Sequence, residues 1–96
     1  MNNNFFSLIL YELAKAKAHF EMNDKWEAIN NMDVAINLMK IIEKTCQSRS
    51  FTSTHLLGLK SFIIYKEKGK FQEGYEQSIE SILQIIGEQL KWTIKL

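Results

Sequence analysis

Apolar residues recur every three or four positions along most of this chain, and that spacing places side chains on one face of an α-helix. No stretch alternates apolar and polar residues in the way that a half-buried β-strand does. Proline, the strongest helix breaker, is absent, and glycine occurs only four times. The pattern predicts an all-α protein. Its two clearest stripes are Phe5, Ile9, Leu13, Ala16 and Phe20 near the start, and Phe71, Tyr75, Ile79, Ile82, Ile86 and Leu90 near the end.

Polar residues interrupt the apolar periodicity after the first stretch. Asp24 is followed three residues later by Glu27, which matches a capping box, where each side chain satisfies a free backbone N–H group. This pattern predicts that a second helix begins here and covers residues 25–44.

The second half of the chain predicts a loop and two more helices. Residues 45–52 lack hydrophobic periodicity, and the third helix is expected to resume near Ser53 and to end at Gly69. The fourth helix is expected to run from about Phe71 to near the end. Short connections imply antiparallel neighbours. The sequence therefore predicts a small antiparallel up-and-down bundle of four helices that forms a single domain over residues 1–96.

The second and third helices carry more apolar residues than one helical face can hold. The main stripe of the second helix is Ala28, Met32, Ala35, Met39 and Ile42. Three further apolar residues flank this stripe on one side, and on the third helix two point nearly opposite the main face. The first and fourth helices are predicted to be apolar on one face only. We therefore expect the middle helices to present an apolar groove to a protein partner. The predicted partner-binding residues are Val34, Leu38, Ile41, Leu57 and Ile64.

The charge balance argues against a nucleic-acid partner. Lysine and arginine together number 12, aspartate and glutamate 11, and the net charge is +1. Lys60, Lys66, Lys68 and Lys70 form a local basic cluster, but the chain lacks the strong overall charge that nucleic-acid binders use. Hydrophobic residues make up 46% and charged residues 24%, which is typical of a folded globular protein and not of a disordered one.

The start of the chain and its cysteine content favour a cytoplasmic protein. Residues 1–4 are uncharged, and the apolar stretch after them is broken by polar residues, unlike a signal peptide or a transmembrane span of about 20 apolar residues. A single cysteine, Cys46, cannot form an intramolecular disulfide. We expect cytoplasmic localisation and no membrane partner.

The sequence contains no constellation typical of catalysis or metal binding. His19 and His55 lie far apart without carboxylate or thiol ligands at metal-binding spacing, and the Glu-x-x-His motif of bundle metal sites does not occur. The serines near His55 are not framed by glycines as in a nucleophile elbow, and no third residue is placed to orient the histidine as in a catalytic triad. We therefore expect no catalytic residues, no metal, no cofactor and no enzymatic activity. Three glutamates of the fourth helix are interpreted as a solvated surface: Glu73, Glu76 and Glu80.

Several short motifs, distributed over nearly the whole chain, carry a resemblance to a known family. They are Leu8 to Glu12 with Ala14, Leu38 to Ile42, Leu56 to Ile63, and Ile82 to Ile86 with Trp92 downstream. Together they resemble the bacterial flagellar secretion chaperones of the FliS type, which are small cytoplasmic helical bundles that bind flagellin before export. Lys60 stands where that family usually has a tyrosine, and the family's N-terminal arm with its Thr-Ala-Ser-Pro segment has no counterpart here.

The resemblance implies a cytoplasmic export chaperone that holds a helical or extended segment of an aggregation-prone, flagellin-like client in the apolar groove. One alternative is a structural or interaction protein without a client, in which the same faces form a homodimer. Another is a tetratricopeptide-like adaptor, because the turns before Trp26 and Phe71 are similar to that repeat. Those two residues are about 45 positions apart, whereas the repeat has a period of about 34.

Overall fold

The structure, a computed structural model, describes residues 3–45 and 51–95, with side chains described for residues 5–44 and 51–88. Within these residues it contains four α-helices and no β-strand, which confirms the predicted all-α fold class. Cys46, most of the predicted loop and the side chain of Trp92 lie outside the described part of the chain. The helices are α1 (Asn3–Glu21), α2 (Lys25–Thr45), α3 (Ser53–Ile64) and α4 (Lys68–Lys95).

Backbone hydrogen bonds close the turn between α1 and α2. Asn23 has a φ of 63°, and its N–H donates to the carbonyl of Phe20 at 3.0 Å. The N–H of Asp24 donates to the carbonyl of His19 at 2.8 Å. These bonds form a Schellman motif, in which a left-handed residue allows the last carbonyls of a helix to be satisfied. The Asp24 carboxylate then accepts the N–H of Glu27 at 3.4 Å, so α2 begins where the sequence predicted.

The turn between α3 and α4 repeats this geometry. Lys66 has a φ of 57°, and its N–H donates to the carbonyl of Ile63 at 3.1 Å. The N–H of Glu67 donates to the carbonyl of Phe62 at 2.8 Å. The third helix therefore ends before this turn, and the prediction that Gly69 ends it is wrong. Gly69 lies inside α4, because a lysine takes the left-handed position that the sequence pattern assigned to glycine.

The two turns are equivalent positions in two helical hairpins. Asn23 corresponds to Lys66, an offset of about 43 residues. Trp26 and Phe71 do not correspond in structure, since Trp26 is exposed in the first turn of α2 and Phe71 is buried. The Phe71 ring packs edge-to-face on Phe20 with ring centroids 5.0 Å apart. The similarity of the two sequence turns to a tetratricopeptide repeat therefore does not relate structurally equivalent residues.

Side chains that bridge neighbouring helices define the order and direction of packing. Each helix packs on the next along the chain, and α4 returns to α1. The Lys60 ammonium of α3 lies 2.7 Å from the Asp33 carboxylate of α2. Further along the same pair of helices, Glu43 accepts both the backbone N–H and the hydroxyl of Ser53. Residue numbers rise on α2 as they fall on α3, so the neighbours are antiparallel, as predicted.

A single hydrophobic core runs through the bundle, which measures 46 × 21 × 19 Å. The predicted main stripe of α2 is buried in it, and in α1 the fully buried aromatic residue is Phe6 and not Phe5. None of the helices in the part of the chain described by the structure combines the length and the apolarity that a bilayer crossing requires. The core residues of α1 and α2 include Phe6, Ile9, Leu13, Ala16, Phe20, Ala28, Met32, Ala35, Met39 and Ile42.

Candidate functional site

The five residues predicted to bind a partner lie on the middle helices with different degrees of exposure. Val34 and Ile41 are 45% and 50% exposed, and Leu57 and Ile64 are exposed as well. Leu38 is half-buried and packs against the core. Four of the five side chains therefore have apolar surface that a partner could cover.

A polar bridge crosses the seam between α1 and α2. Asn31 is buried, and its side-chain Nδ2 donates to Oε1 of Glu12 at 3.0 Å. The Asn31 Oδ1 lies 2.8 Å from Nδ1 of His19. An ionised carboxylate can only accept hydrogen bonds, so the amide orientation is determined and Nδ1 of His19 carries the proton that it donates. This bridge holds α1 and α2 in one register.

Contacts around α2 show which neighbour each of its flanks faces. Asn31 points toward α1, whereas Asp33 and Glu43 point toward α3. At about 100° per residue, Val34 and Ile41 project about 60–80° away from Asn31. They project about 80–180° away from the two residues that contact α3. Val34 therefore lies nearer to the seam with α1 than to α3, and Ile41 lies on the outer surface of α2, about 80° from both Asn31 and Asp33.

Helix α1 contributes exposed apolar residues to the same seam. Leu8 is 47% exposed, and Tyr11 is also exposed. Asn31 bonds to Glu12 and His19, so it lies level with about position 15 of α1, midway between them. Because the two helices are antiparallel, seven residues toward the start of α1 correspond to seven residues toward the end of α2, which places Leu8 level with Leu38. Around the axis of α1, Leu8 projects within about 40° of Glu12 and His19, which face α2. We define the α1–α2 apolar face as Leu8, Tyr11, Val34, Leu38 and Ile41.

A polar strip on α2 separates this face from α3. Asn37 and Lys44 are exposed and lie between the α1–α2 apolar face and the flank of α2 that contacts α3. On α3, Leu57 and Ile64 project about 40–60° from Lys60, the residue that contacts α2. We call Leu57 and Ile64 the α3 ridge. The structure thus divides the five predicted residues into two groups with polar side chains between them.

The sequence interpretation missed the contribution of α1 because that helix was expected to be apolar on one face only. The exposed residues Leu8, Tyr11 and Met22 show that it is not. A second stripe with spacings of three and four was available in the sequence, but a lysine interrupts its apolar character. That stripe is Leu8, Tyr11, Lys15, Ala18 and Met22.

Several titratable groups of the described residues have structural roles. No group of three or more histidine, cysteine, aspartate or glutamate residues in the described ranges could hold a metal ion. His55 accepts the backbone N–H of Thr52 at 3.1 Å and stacks on Phe51, so it caps α3. The hydrogen bond and the charge of Glu21 raise the pKa of Lys17 because they stabilise the ammonium form. A lysine held in its charged form is not available as a general base.

A pocket of about 470 Å³ between α3 and α4 has a mixed apolar and polar lining, and its polar side chains do not form a catalytic contact. Its polar side chains include His55, Ser78, Ser81 and Glu80. The Nδ1 atom of His55 is already occupied by a backbone N–H, and no hydrogen bond joins the imidazole to either serine or to the glutamate. The hydrogen bond between nucleophile and base that acyl transfer requires is therefore not formed here.

Comparison with known proteins does not assign a function, so the function has to be inferred from the geometry of this surface. No family model matches the chain, and no curated protein and no solved structure is similar to it at a significant level.

Proposed function

We propose that this protein is a client-binding protein that holds a helical segment of an aggregation-prone protein along the α1–α2 apolar face. The observation that carries the proposal is the exposure of Leu8, Val34 and Ile41, each about half open to solvent, on two adjacent helices. The Asn31 bridge keeps these two helices in register, so the face is held in one shape. Contiguous exposed apolar surface on a small folded domain is typical of an interaction site.

The geometry of the face favours a helix as its occupant. Two antiparallel helices leave a groove along their seam, and Val34 and Ile41 lie seven residues apart, on the same side of α2. A client helix with apolar residues at three- and four-residue spacing would match that repeat and would contact Leu38 between the two positions. An extended client strand would find no free backbone edge, because the backbone groups of α1 and α2 are bonded within the helices.

The exposed apolar area of the α1–α2 apolar face is too small to bind a client by itself. Fully burying a side chain of this type contributes about 1.5–3 kcal/mol, so covering three half-exposed side chains contributes about 3 kcal/mol. A complex with a micromolar dissociation constant requires about 8 kcal/mol. We therefore infer that a client also contacts the α3 ridge, Leu57 and Ile64, and forms polar contacts with the strip between the two groups.

The resemblance to flagellar secretion chaperones supplies the biological setting of the proposal. Two of the motifs that carry the resemblance, Leu8 to Glu12 and Leu38 to Ile42, also supply residues of the α1–α2 apolar face. We place the protein in the bacterial cytoplasm, where it would prevent a flagellin-like exported protein from aggregating before secretion. No cofactor is needed for this role, because binding removes apolar surface from water without a chemical step.

Aspartate substitutions at exposed apolar positions test the proposal. Purified flagellin monomers serve as the client probe, and complex formation is followed by sedimentation velocity and by light scattering of the client. Ile41→Asp and Leu8→Asp are expected to weaken binding by about tenfold or more, since a carboxylate buried without a partner opposes association. Leu83→Asp is the matched control, because Leu83 is an equally exposed leucine on α4, outside both apolar groups. Far-UV circular dichroism checks that every variant remains helical.

The same experiment distinguishes a client from a second copy of the chain. Flagellin binding that Ile41→Asp leaves unchanged would refute the proposal. A stable dimer that Ile41→Asp dissociates and Leu83→Asp does not would assign the face to a homodimer. The homodimer is favoured by one feature of the face: both of its helices expose apolar residues, so two copies related by a two-fold axis could pack hairpin against hairpin.

A further inference from the structure

Both interhelical turns lie at one end of the bundle, and a side chain links them. The Lys68 ammonium, at the start of α4, donates to the side-chain oxygen of Asn23 in the α1–α2 turn at 3.1 Å. A pocket of about 400 Å³ lies between the turns. Its lining includes Phe20, Trp26, Asp24 and three lysines.

The two turns and the helix start beside them carry large side chains that are open to solvent, and one of these, Trp26, lines the pocket. Met22 and Tyr65 each stand directly before the left-handed residue of their turn, and both are exposed. Trp26 is 72% exposed and Tyr65 is 73% exposed, although both are aromatic residues that a core could have buried. Exposed tryptophan and tyrosine beside a pocket are typical anchors of protein interfaces.

The pocket carries an excess of positive charge. Lys25, Lys66 and Lys68 line it together with a single carboxylate, Asp24. Asp24 already caps α2, and nearby Glu67 forms its ion pair with a lysine of α4. None of the three pocket lysines forms an ion pair with a carboxylate in the described part of the chain. Lys68 donates one hydrogen bond to Asn23 and lies 5.8 Å from the Phe20 ring centroid, and Lys25 lies 5.4 Å from the Trp26 ring centroid. An ammonium group has three N–H donors, so each lysine can still donate to a ligand with negative charge.

We propose that this pocket binds an acidic peptide segment that carries one apolar side chain. The apolar side chain would pack mainly on the exposed Trp26, because Phe20 lines the pocket but is only 4% exposed. The flanking carboxylates would face the three lysines. The volume of the pocket lies in the range of about 300–1,000 Å³ that is usual for ligand sites and matches one side chain with its neighbouring backbone. The site lies at the turn end of the bundle, outside the α1–α2 apolar face, so this inference does not depend on the proposed function.

The charge and shape of the site favour a peptide over an anionic membrane surface. Recognition of acidic lipid surfaces generally requires clusters of about 4–8 basic residues. Here three lysines surround a concave pocket that also contains the Asp24 carboxylate. A planar bilayer could contact the exposed Trp26 and Tyr65 side chains, but it could not fill the concave pocket.

Fluorescence of Trp26 provides a direct test. In the full chain carrying Trp92→Phe, Trp26 is the single tryptophan and lies in the pocket lining. The probe is the synthetic peptide Asp-Glu-Leu-Glu-Asp, and its uncharged counterpart is Asn-Gln-Leu-Gln-Asn. We expect saturable changes in Trp26 emission with the acidic peptide below about 1 mM, and none with the uncharged peptide over that range. Raising the salt concentration from about 50 to 500 mM should weaken the binding.

Paired lysine variants distinguish the pocket from general surface charge. The double variant Lys25→Gln with Lys66→Gln is expected to lower peptide affinity by about tenfold or more. Lys40→Gln with Lys44→Gln removes the same charge from another part of α2 and is expected to leave affinity unchanged. Equal effects of the two double variants, no response to the acidic peptide, or binding only to vesicles containing phosphatidylserine would overturn the inference. Matching circular dichroism spectra and melting temperatures exclude unfolding as the cause.

Discussion

Replacing Lys66 with glycine is expected to stabilise the protein, because this position requires a left-handed backbone conformation. Lys66 has a φ of 57°, where the side chain of an L-residue adds a steric cost of about 1–2 kcal/mol. Glycine avoids that cost but loses about 0.5–1 kcal/mol more backbone entropy on folding. The difference is a net stabilisation of about 0.5–1 kcal/mol. Since 1 kcal/mol shifts the melting temperature of a domain of this size by about 4–8 °C, the expected rise is about 2–8 °C.

Urea and thermal unfolding followed by far-UV circular dichroism measure this effect, and the urea slope should stay constant if only stability changes. Lys66→Ala removes the same charge but retains the left-handed cost, so its stability should stay close to that of the parent chain. Lys70→Gly, in the first turn of α4, is expected to lose up to about 1 kcal/mol, because glycine there weakens a helix. If Lys66→Gly were as destabilising as Lys70→Gly, the Schellman turn and its equivalence with the Asn23 turn would be wrong.

Two further predictions concern helix packing. Gly58→Ala is expected to stabilise α3 by about 1 kcal/mol, because its added methyl group would meet no atom within 4 Å. Gly74→Ala should gain less than that or lose stability, since its methyl group would lie 2.8 Å from Cδ2 of Leu59; an equal gain by urea unfolding would contradict the close approach of α3 and α4. Asn31→Leu is expected to destabilise the chain by about 1–3 kcal/mol despite adding apolar surface, because its two hydrogen-bond partners on α1 lose their bonds. An unchanged melting temperature would show that the polar bridge is dispensable.

Most of the fold could be predicted from local pattern, because helical periodicity and capping depend on neighbouring residues. The main stripe of α2 is buried as predicted, and α2 begins after Asp24, whose carboxylate accepts a backbone N–H at the helix start. The end of α3 could not be predicted in the same way. Lys66 has no intrinsic preference for the left-handed region, so the sequence pointed to the nearby Gly69 instead. The hydrogen bonds of the turn, and not residue preference, determine its position.

The candidate surface could be predicted only in part. The surplus apolar residues of α2 and α3 indicated that some would remain outside the core, and four of the five predicted residues are exposed. The exposed residues of α1 were missed, since one flank of a helix can be assigned to solvent only when its neighbours are known. The pocket between the two turns was also beyond prediction, because its lining comes from Phe20, Trp26 and Lys66, which are distant in sequence.

The sequence by itself determined four amphipathic helices, most of their boundaries and most of the residues that each buries, because those properties follow from spacing along one helix. Only the tertiary structure decided that Val34 and Ile41 share the exposed surface of the α1–α2 hairpin with Leu8, while Leu57 and Ile64 lie across a polar strip. A left-turning and a right-turning four-helix bundle would bury the same stripes. The two bundles differ in which neighbouring helix each flank of a helix faces. Contacts such as the Asp33–Lys60 ion pair show which arrangement this protein adopts.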